Sequence, residues 1–331
     1  MRTLRISLNS KDILSLRDLS PAEIHSVLKL AASFKKDWQA RKPRRLLPGC
    51  ILGMIFEKPS TRTRLSFETA MYQLGGSPIY MGINDTQLSR GESIEDTART
   101  LGLYVDCIVA RIYNHHNLEK LASFTSVPVI NGLSNSFHPC QILADLLTIY
   151  EHKKKLRGLK LAWIGDGNNV CNDMLLGCSK TGINMVVACP KGYEPLRYVT
   201  ELAKEEGTRT NAEITITDDP KLAAKFADII VTDTFVSMGK DDEKRTRNSA
   251  FFPKYQVNSN LITLAKQDSI FMHCLPANRG KEVTSDIIDG DASVVWEEAE
   301  NRLHVQQALL YLLLKNRSLA SYRYPVRFED I

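Results

Sequence analysis

Residues 51–76 read ILGMIFEKPSTRTRLSFETAMYQLGG, and their interpretation decides the fold. Ile51 to Phe56 is a short apolar run of strand type, whereas Leu65, Ala70, Met71 and Leu74 recur at the spacing of an amphipathic helix that stops at Gly75-Gly76. Between strand and helix stand Ser60, Thr61, Arg62, Thr63 and Arg64, with no acidic residue from Pro59 to Phe67. This cluster therefore lies at a helix N-terminus, where unsatisfied N–H groups and the positive end of the dipole attract an anion. An arginine adds a planar fork of donors that lysine cannot supply. A phosphate is the ligand such a turn suits best.

Simpler roles compete for some of these residues. Ser60 is an ordinary N-cap, and Arg64 is placed to pair with Glu68 one turn later. Successive helical residues are separated by about 100°, so Arg62 and Arg64 point to different sides. Arg62 is assigned to the anion and Arg64 to structure.

Outward from this turn, apolar β-rich runs alternate with helical patterns, the signature of an α/β protein with parallel sheets. Strands are expected near 51–56, 78–81, 106–111 and 127–131, followed by helices near 61–74, 93–104, 117–125 and 139–153. The polar, basic stretch from Glu151 to Gly158 marks a boundary. A second series follows, with strands near 159–164, 184–189, 212–217, 228–233, 269–274 and 293–296 and helices near 170–181, 195–206, 219–226 and 300–316. The expected fold is two domains, 1–150 and 151–331, each a parallel β-sheet flanked by helices. The C-terminal helix, about 300–316, closes the chain and packs back on the first domain. The run KDDEKRTR at 240–247 reads as a solvated loop on composition, with a lid as its functional alternative.

Ligands of open parallel sheets bind beyond the carboxyl ends of the strands. There the first half offers the 60–64 cluster, Arg111, His138 and, one turn into the next helix, Gln141. Singly, Arg111 also reads as a rim charge, His138 as a loop residue before Pro139, and Gln141 as a solvated first-turn residue. The second half offers Gly165-Asp166-Gly167-Asn168-Asn169, Asp233 and His273-Cys274. A carboxylate, amides and a thiol suit an amino acid; Asp233 as a loop cap and Cys274 as a small apolar filler are the plain alternatives. Ser93-Ile94-Glu95-Asp96 is a helix-capping sequence and is left out of the site.

Several function classes are disfavoured. The turn at 165–169 has Val170 where a dinucleotide fold wants its third glycine, and the next strand ends in Ala188-Cys189-Pro190 without the ribose-binding acid. No GxxxxGK[ST] loop occurs, and the adjacent His115-His116 does not present two rings to one metal. Neither a cofactor nor a metal is expected. The net charge of +5 is small and dispersed, so nucleic acid is not a partner. The longest late apolar run, Ala308 to Leu314, is too short to span a bilayer, and no secretory signal is visible. Seven scattered cysteines fit free thiols in a reducing cytoplasm.

Four motifs, taken in order, carry a resemblance over nearly the whole chain: Ser-Thr-Arg-Thr-Arg at 60–64, His-Pro-Cys-Gln at 138–141, Asp233 to Gly239 (DTFVSMG), and His-Cys-Leu-Pro at 273–276. With them the chain resembles the ornithine carbamoyltransferases, sisters of the aspartate carbamoyltransferases. The resemblance implies transfer of the carbamoyl group of carbamoyl phosphate to the side-chain amine of L-ornithine, giving citrulline and phosphate in arginine metabolism. It implies that Ser60, Thr61, Arg62 and Thr63 hold the phosphate, that Arg111, His138 and Gln141 hold the carbamoyl group, and that Arg302 returns to this site from the last helix. Gln87 is implied to reach carbamoyl phosphate in a neighbouring subunit. Asn169, Asp233, Ser237 and Met238 are implied as ornithine contacts, with Cys274 and Leu275 beside the reacting amine. The catalytic set is then Arg62, Arg111, His138, Asp233 and Cys274, in a cytoplasmic homotrimer or a higher multiple of trimers. Carbamoyltransferases for putrescine, acetylornithine or aspartate, a silent regulatory paralogue and a nicotinamide dehydrogenase are the rival readings.

Overall fold

The computed structural model describes residues 8–236 and 240–315. The first half runs α1 (Pro21–Gln39), β1 (Ile51–Phe56), α2 (Thr61–Leu74), β2 (Ser77–Gly82), α3 (Ile94–Tyr104), β3 (Cys107–Arg111), α4 (His115–Phe124), β4 (Val129–Leu133) and α5 (Pro139–Lys153). The second runs β5 (Lys160–Ile164), α6 (Asn169–Thr181), β6 (Asn184–Ala188), α7 (Arg197–Thr210), β7 (Ile214–Thr217), α8 (Pro220–Ala224), β8 (Ile229–Thr232), α9 (Lys244–Phe251), α10 (Ser259–Ile262), β9 (Ile270–His273), α11 (Ser285–Ile288) and α12 (Val295–Leu314).

Both sheets are parallel throughout. The first has the order β2-β1-β3-β4 and the second β7-β6-β5-β8-β9. Helices cover both faces, which is why β3 and β9 are buried at every position and read as continuous apolar runs. Strand order reverses between β1 and β3 and again between β5 and β8. At such switch points the two following connections diverge to opposite faces and leave a crevice beyond the strand ends. Phe56 and Arg111 are register partners at the first, and the chain leaves the second at Gly165 and Asp233.

Helix packing binds the halves together. α5 is buried from Pro139 to Ile149 and packs on α6, where Gly177 permits the approach: a Cβ there would lie 2.7 Å from Ile142 Cγ2. α12 packs on α1, α2 and α5, burying Val305, Leu309 and Leu312, each contributing about 1.5–3 kcal/mol of hydrophobic stabilisation. At the α1–α12 contact the Lys35 ammonium donates to Asn301 Oδ1 at 2.8 Å and Glu151 Oε2 at 2.9 Å.

The structure departs from the sequence reading in several places. The reading lacks α1, although Ser20-Pro21-Ala22-Glu23 is a capping box: the Ser20 hydroxyl accepts from Glu23 N at 3.3 Å, and Glu23 Oε2 accepts from Ser20 N at 2.8 Å. No strand forms over 293–296. Ser293 makes one parallel bridge with Phe271, and α12 begins at Val295, about a turn earlier than expected, because two ladder bonds at Phe271 are followed by helix-forming Glu297 and Glu298. Leu65 is 56% exposed and faces away from the core of α2. Residues 240–247 are solvated as the composition suggested, with Lys240 and Asp242 to Thr246 exposed, but they are not one loop: Asp241–Glu243 is a 3₁₀ turn, α9 starts at Lys244, and Arg247 is buried. Charge composition missed this because Arg247 is neutralised by an acid distant in sequence.

Candidate active site

A cavity of about 420 Å³ opens between the two switch points. Ser60, Thr61, Arg62, Thr63, Arg111, His138, Gln141, Asp233, Cys274, Leu275 and Arg302 all line it, so eleven of the sequence-selected residues meet in one place. Each arrives at the cap or first turn of a helix or at the end of a strand and just beyond it, except Arg302, which α12 carries back across the molecule.

On the first-domain side the Ser60 hydroxyl accepts from Thr63 N at 3.2 Å, so the N-cap role is real, and the hydroxyl still borders the cavity. Arg64 pairs with Glu68 at 3.0 Å and lies over the Tyr80 ring at 3.8 Å, the structural role assigned to it. Arg302 donates to Thr63 Oγ1 at 3.0 Å and to Gln141 Oε1 at 2.9 Å, cross-linking two of the turns. Three guanidinium groups, from Arg62, Arg111 and Arg302, share the cavity. Burial, followed by repulsion from Arg302 and Arg62, brings Arg111 down to about 10, still cationic at neutral pH. Burial and the same positive field, from Arg302 and Arg111, hold His138 well below the usual imidazole range. Its ring is therefore neutral, and Nδ1 meets no hydrogen-bond partner among the described residues. The arrangement concentrates positive charge, and among the described residues lining the cavity Asp233, from the second domain, is the one carboxylate, which gives the first-domain side the electrostatics of an anion site.

The second-domain side is acidic and amide-rich. Asp233 accepts from Asn168 Nδ2 at 2.7 Å, and the Cys274 thiol lies 3.2 Å from Asp233 Oδ1. Burial and the neighbouring Asp233 and Glu298 push that thiol well above its ordinary value, so it stays protonated and donates to the carboxylate. Leu275 sits at φ 56°, a left-handed conformation costly for a branched side chain, and its N–H donates to His273 Nδ1 at 2.9 Å. Asp233, His273 and Cys274 bring potential ligand atoms within 4.8 Å of one another. His273 has no lone pair to spare for a metal, since Nδ1 accepts from Leu275 and Nε2 faces Glu282 at 3.4 Å.

Other expected residues lie elsewhere. Asn169 donates to Ser134 O at 2.8 Å and lines a neighbouring cavity of about 50 Å³ with Lys58, Arg111 and Leu133. Gln87 is exposed in the 3₁₀ turn Gln87–Arg90 and does not line the main cavity. Ser237 and Met238 fall outside the described residues. The glycine turn has its own structural cause: a Cβ on Gly167 would lie 2.2 Å from Pro195 N, so close packing, not a phosphate, requires that glycine.

Sequence reasoning missed the supporting acids. Asp173 accepts from Leu16 N at 2.8 Å and from His138 N at 2.7 Å, fixing the His138 backbone. Asp145 and Glu298 both accept from Gln141 Nε2 at 2.8 Å. Asp145 stands four residues after Gln141 and Glu298 four before Arg302, so helical spacing from the selected residues was the available signal. Asp166, mentioned only as part of its turn, pairs with Arg247 at 2.8 Å.

Comparison with known proteins agrees with this division of charge. Residues 11–151 match the model described as aspartate/ornithine carbamoyltransferase, carbamoyl-P binding domain, and residues 157–313 match the Asp/Orn binding domain of the same family. The ornithine carbamoyltransferase of Pyrococcus horikoshii is 51% identical over 309 residues, 93% of this chain and 97% of that protein. The anabolic ornithine carbamoyltransferase of Pyrococcus furiosus is 49% identical over 309 residues, 93% of this chain and 98% of its own length. The solved structure of ornithine carbamoyltransferase from P. furiosus superposes with a TM-score of 0.90 at 50% identity, covering 93% of this chain and 98% of that one. A cavity with a cationic side on one domain and a carboxylate and thiol on the other, with both family models matched in order along the chain, places it in the aspartate/ornithine carbamoyltransferase family.

Proposed function

We propose that the chain transfers the carbamoyl group of carbamoyl phosphate to the side-chain amine of L-ornithine, releasing citrulline and phosphate, in the anabolic direction that serves arginine synthesis. The observation that carries this reading is the one cavity in which three arginines and a neutral histidine face a carboxylate–thiol pair. Ser60, Thr61, Arg62 and Thr63 hold the phosphate; Arg111, His138, Gln141 and Arg302 surround the carbamoyl group. Asn169, Asp233, Ser237, Met238, Cys274 and Leu275 receive ornithine.

The reaction is a direct displacement. The neutral amine attacks the carbonyl carbon, the new C–N bond forms as the C–O bond to phosphate breaks, and negative charge moves to the carbonyl and leaving oxygens. Arg62, Arg111 and His138 stabilise those oxygens without reorganising, an effect worth about 3–4 kcal/mol per well-placed donor. Holding two substrates in line supplies much of the remainder. A free alkyl ammonium titrates near ~10.4, and the positive field of Arg62 and Arg111 favours its neutral form. Asp233 positions the amine. Because Cys274 remains a protonated thiol, it does not accept the amine's proton, which passes to the departing phosphate oxygen.

Measuring citrulline formation with ornithine beside carbamoylation of putrescine, acetylornithine and aspartate tests the substrate. Ornithine should exceed the others by at least about 10²-fold in kcat/KM, since the rivals lack or alter groups that the second-domain residues receive. An equal rate with putrescine would remove the ornithine assignment.

The protein is further proposed to act in the cytoplasm as a homotrimer or a multiple of trimers. Seven free cysteines support a reducing compartment, and no helix among the described residues is long and apolar enough to cross a membrane. For assembly, β2 is an edge strand, with Leu65, Tyr72 and Ile79 exposed near it. Gln87, exposed and remote from its own cavity, would complete a neighbour's site. A solution mass equal to a monomer at working concentration would end that proposal.

A further inference from the structure

We propose that Glu298, acting with Asp145, is a positioning residue that fixes the Gln141 amide with its oxygen toward the cavity, and thereby sets the preference for an NH₂ group over a methyl group on the bound acyl phosphate. This rests on the reading that carbamoyl phosphate occupies the cavity.

Gln141 is only 1% exposed, so both ends of its amide need partners within the protein or the ligand. Its Nε2 donates to Asp145 Oδ1 and Glu298 Oε1, each at 2.8 Å, and its Oε1 accepts from Arg302 Nη1 at 2.9 Å. A guanidinium only donates, so the amide oxygen must face Arg302 and the orientation is determined by chemistry. The flipped amide would set NH₂ against Arg302 and oxygen against two carboxyl groups. In the observed orientation Oε1 keeps a second lone pair after serving Arg302, and a carbamoyl N–H can use it whereas an acetyl methyl cannot.

Glu298 is itself held. Its Oε2 accepts from His273 N at 2.9 Å, at the end of β9 beside Cys274, so one carboxyl group links the anion side of the cavity to the amine side. Burial, with the two acids repelling each other, pushes Asp145 up to about 7 and Glu298 well above the ordinary carboxylate range. The pair therefore shares a proton near neutrality and keeps acceptor oxygens without placing two full negative charges behind the cavity. Neither acid lines the cavity, which identifies the pair as acting through Gln141.

Glu298→Gln tests this directly. The new amide has nearly the same shape but one acceptor oxygen, and cannot serve both Gln141 Nε2 and His273 N. The expected result is a KM for carbamoyl phosphate raised about tenfold, with the Ki of acetyl phosphate, which has methyl in place of the amino group, changed less than about twofold. The ratio of the acetyl phosphate Ki to the carbamoyl phosphate KM should therefore fall at least about fivefold. A ratio within about twofold of the unsubstituted protein's, whether both constants stay or both weaken together, overturns the proposal, because general structural support would move both alike. Should Glu298→Gln fail to fold, Asp145→Asn removes the other acceptor and is expected to lower the ratio about threefold; an unchanged ratio is again fatal. If the unsubstituted protein forms no citrulline, the carbamoyl-phosphate reading and this one fall together. Citrulline formation with an unaltered ratio in the variants sinks only the role of Glu298 and Asp145.

Discussion

The turns at 56–61 and 164–169 are the same piece of architecture, a central parallel strand running into a helix N-terminus at a switch point, yet they are finished with opposite charge. At the first, one hydroxyl caps α2, and arginines gather from its own helix, from β3 and from α12. At the second, Asn168 Oδ1 accepts from both Val170 N and Cys171 N, occupying the anion-attracting end of α6, and its amide is spent on Asp233. Asp166 in the same turn is neutralised by a buried arginine from α9. A helix N-terminus is thus an anion site only when its N–H groups are left for a ligand and cations collect around it. Covering them with an amide gives the same geometry a carboxylate, Asp233, in place of an anion site.

The strongest way to break the contrast is at Arg62. Arg62→Ala should lower citrulline formation by more than about 10³-fold with little change in Tm, since this side chain supports the cavity and not the core. Near-full activity in that variant would show that the first turn is a cap alone. Arg247 tests the other turn: it pairs with Asp166 at 2.8 Å and donates to Phe235 O at 3.3 Å, so it ties the 165–169 turn to the segment beyond Asp233. Arg247→Met removes the guanidinium that faces the buried Asp166 carboxylate and should destabilise the protein by about 3–5 kcal/mol in denaturant melts. A loss below about 1 kcal/mol would mean the pair is ornamental to the fold.

The smallest expected effect concerns the acid that joins both sides. Burial pushes Asp173 up to about 8, whereas an unfolded aspartate titrates near ~3.9. The folded state therefore holds a proton that the unfolded state has released, and this contribution to stability is complete below the unfolded value and is lost as pH rises through about 8. Tm should decline between about pH 4 and about pH 8 and level off above that, and Asp173→Asn should flatten the decline. An equal slope in both proteins would assign the pH dependence to other groups.

The legibility of these features follows their range in sequence. Strands buried on both faces, helices begun by Ser60 or Pro139, and the donors crowded at 60–64 are local patterns, and the structure reproduces them closely. α1 was equally local, with its capping box, but its apolar positions are diluted by Lys29, Lys35 and Lys36, and its burial depends on α12. Arg247 was misread because a charged run looks solvated until a distant acid is known. Asp145, Asp173 and Glu298 carry no motif, and their importance arises from groups up to 157 residues away.

By itself the sequence determined the parallel α/β architecture in two series, the phosphate-type turn, and most of the side chains that meet in the cavity, because strand periodicity, capping and donor clustering are written over a few consecutive residues. Only the tertiary structure decided the rest: which ends of which strands face each other, that α12 returns Arg302 to Thr63 and Gln141, and that buried acids hold the Gln141 amide and the His138 backbone. The physical reason is that hydrogen-bond direction and proton occupancy are set by burial and by partners brought together from distant parts of the chain.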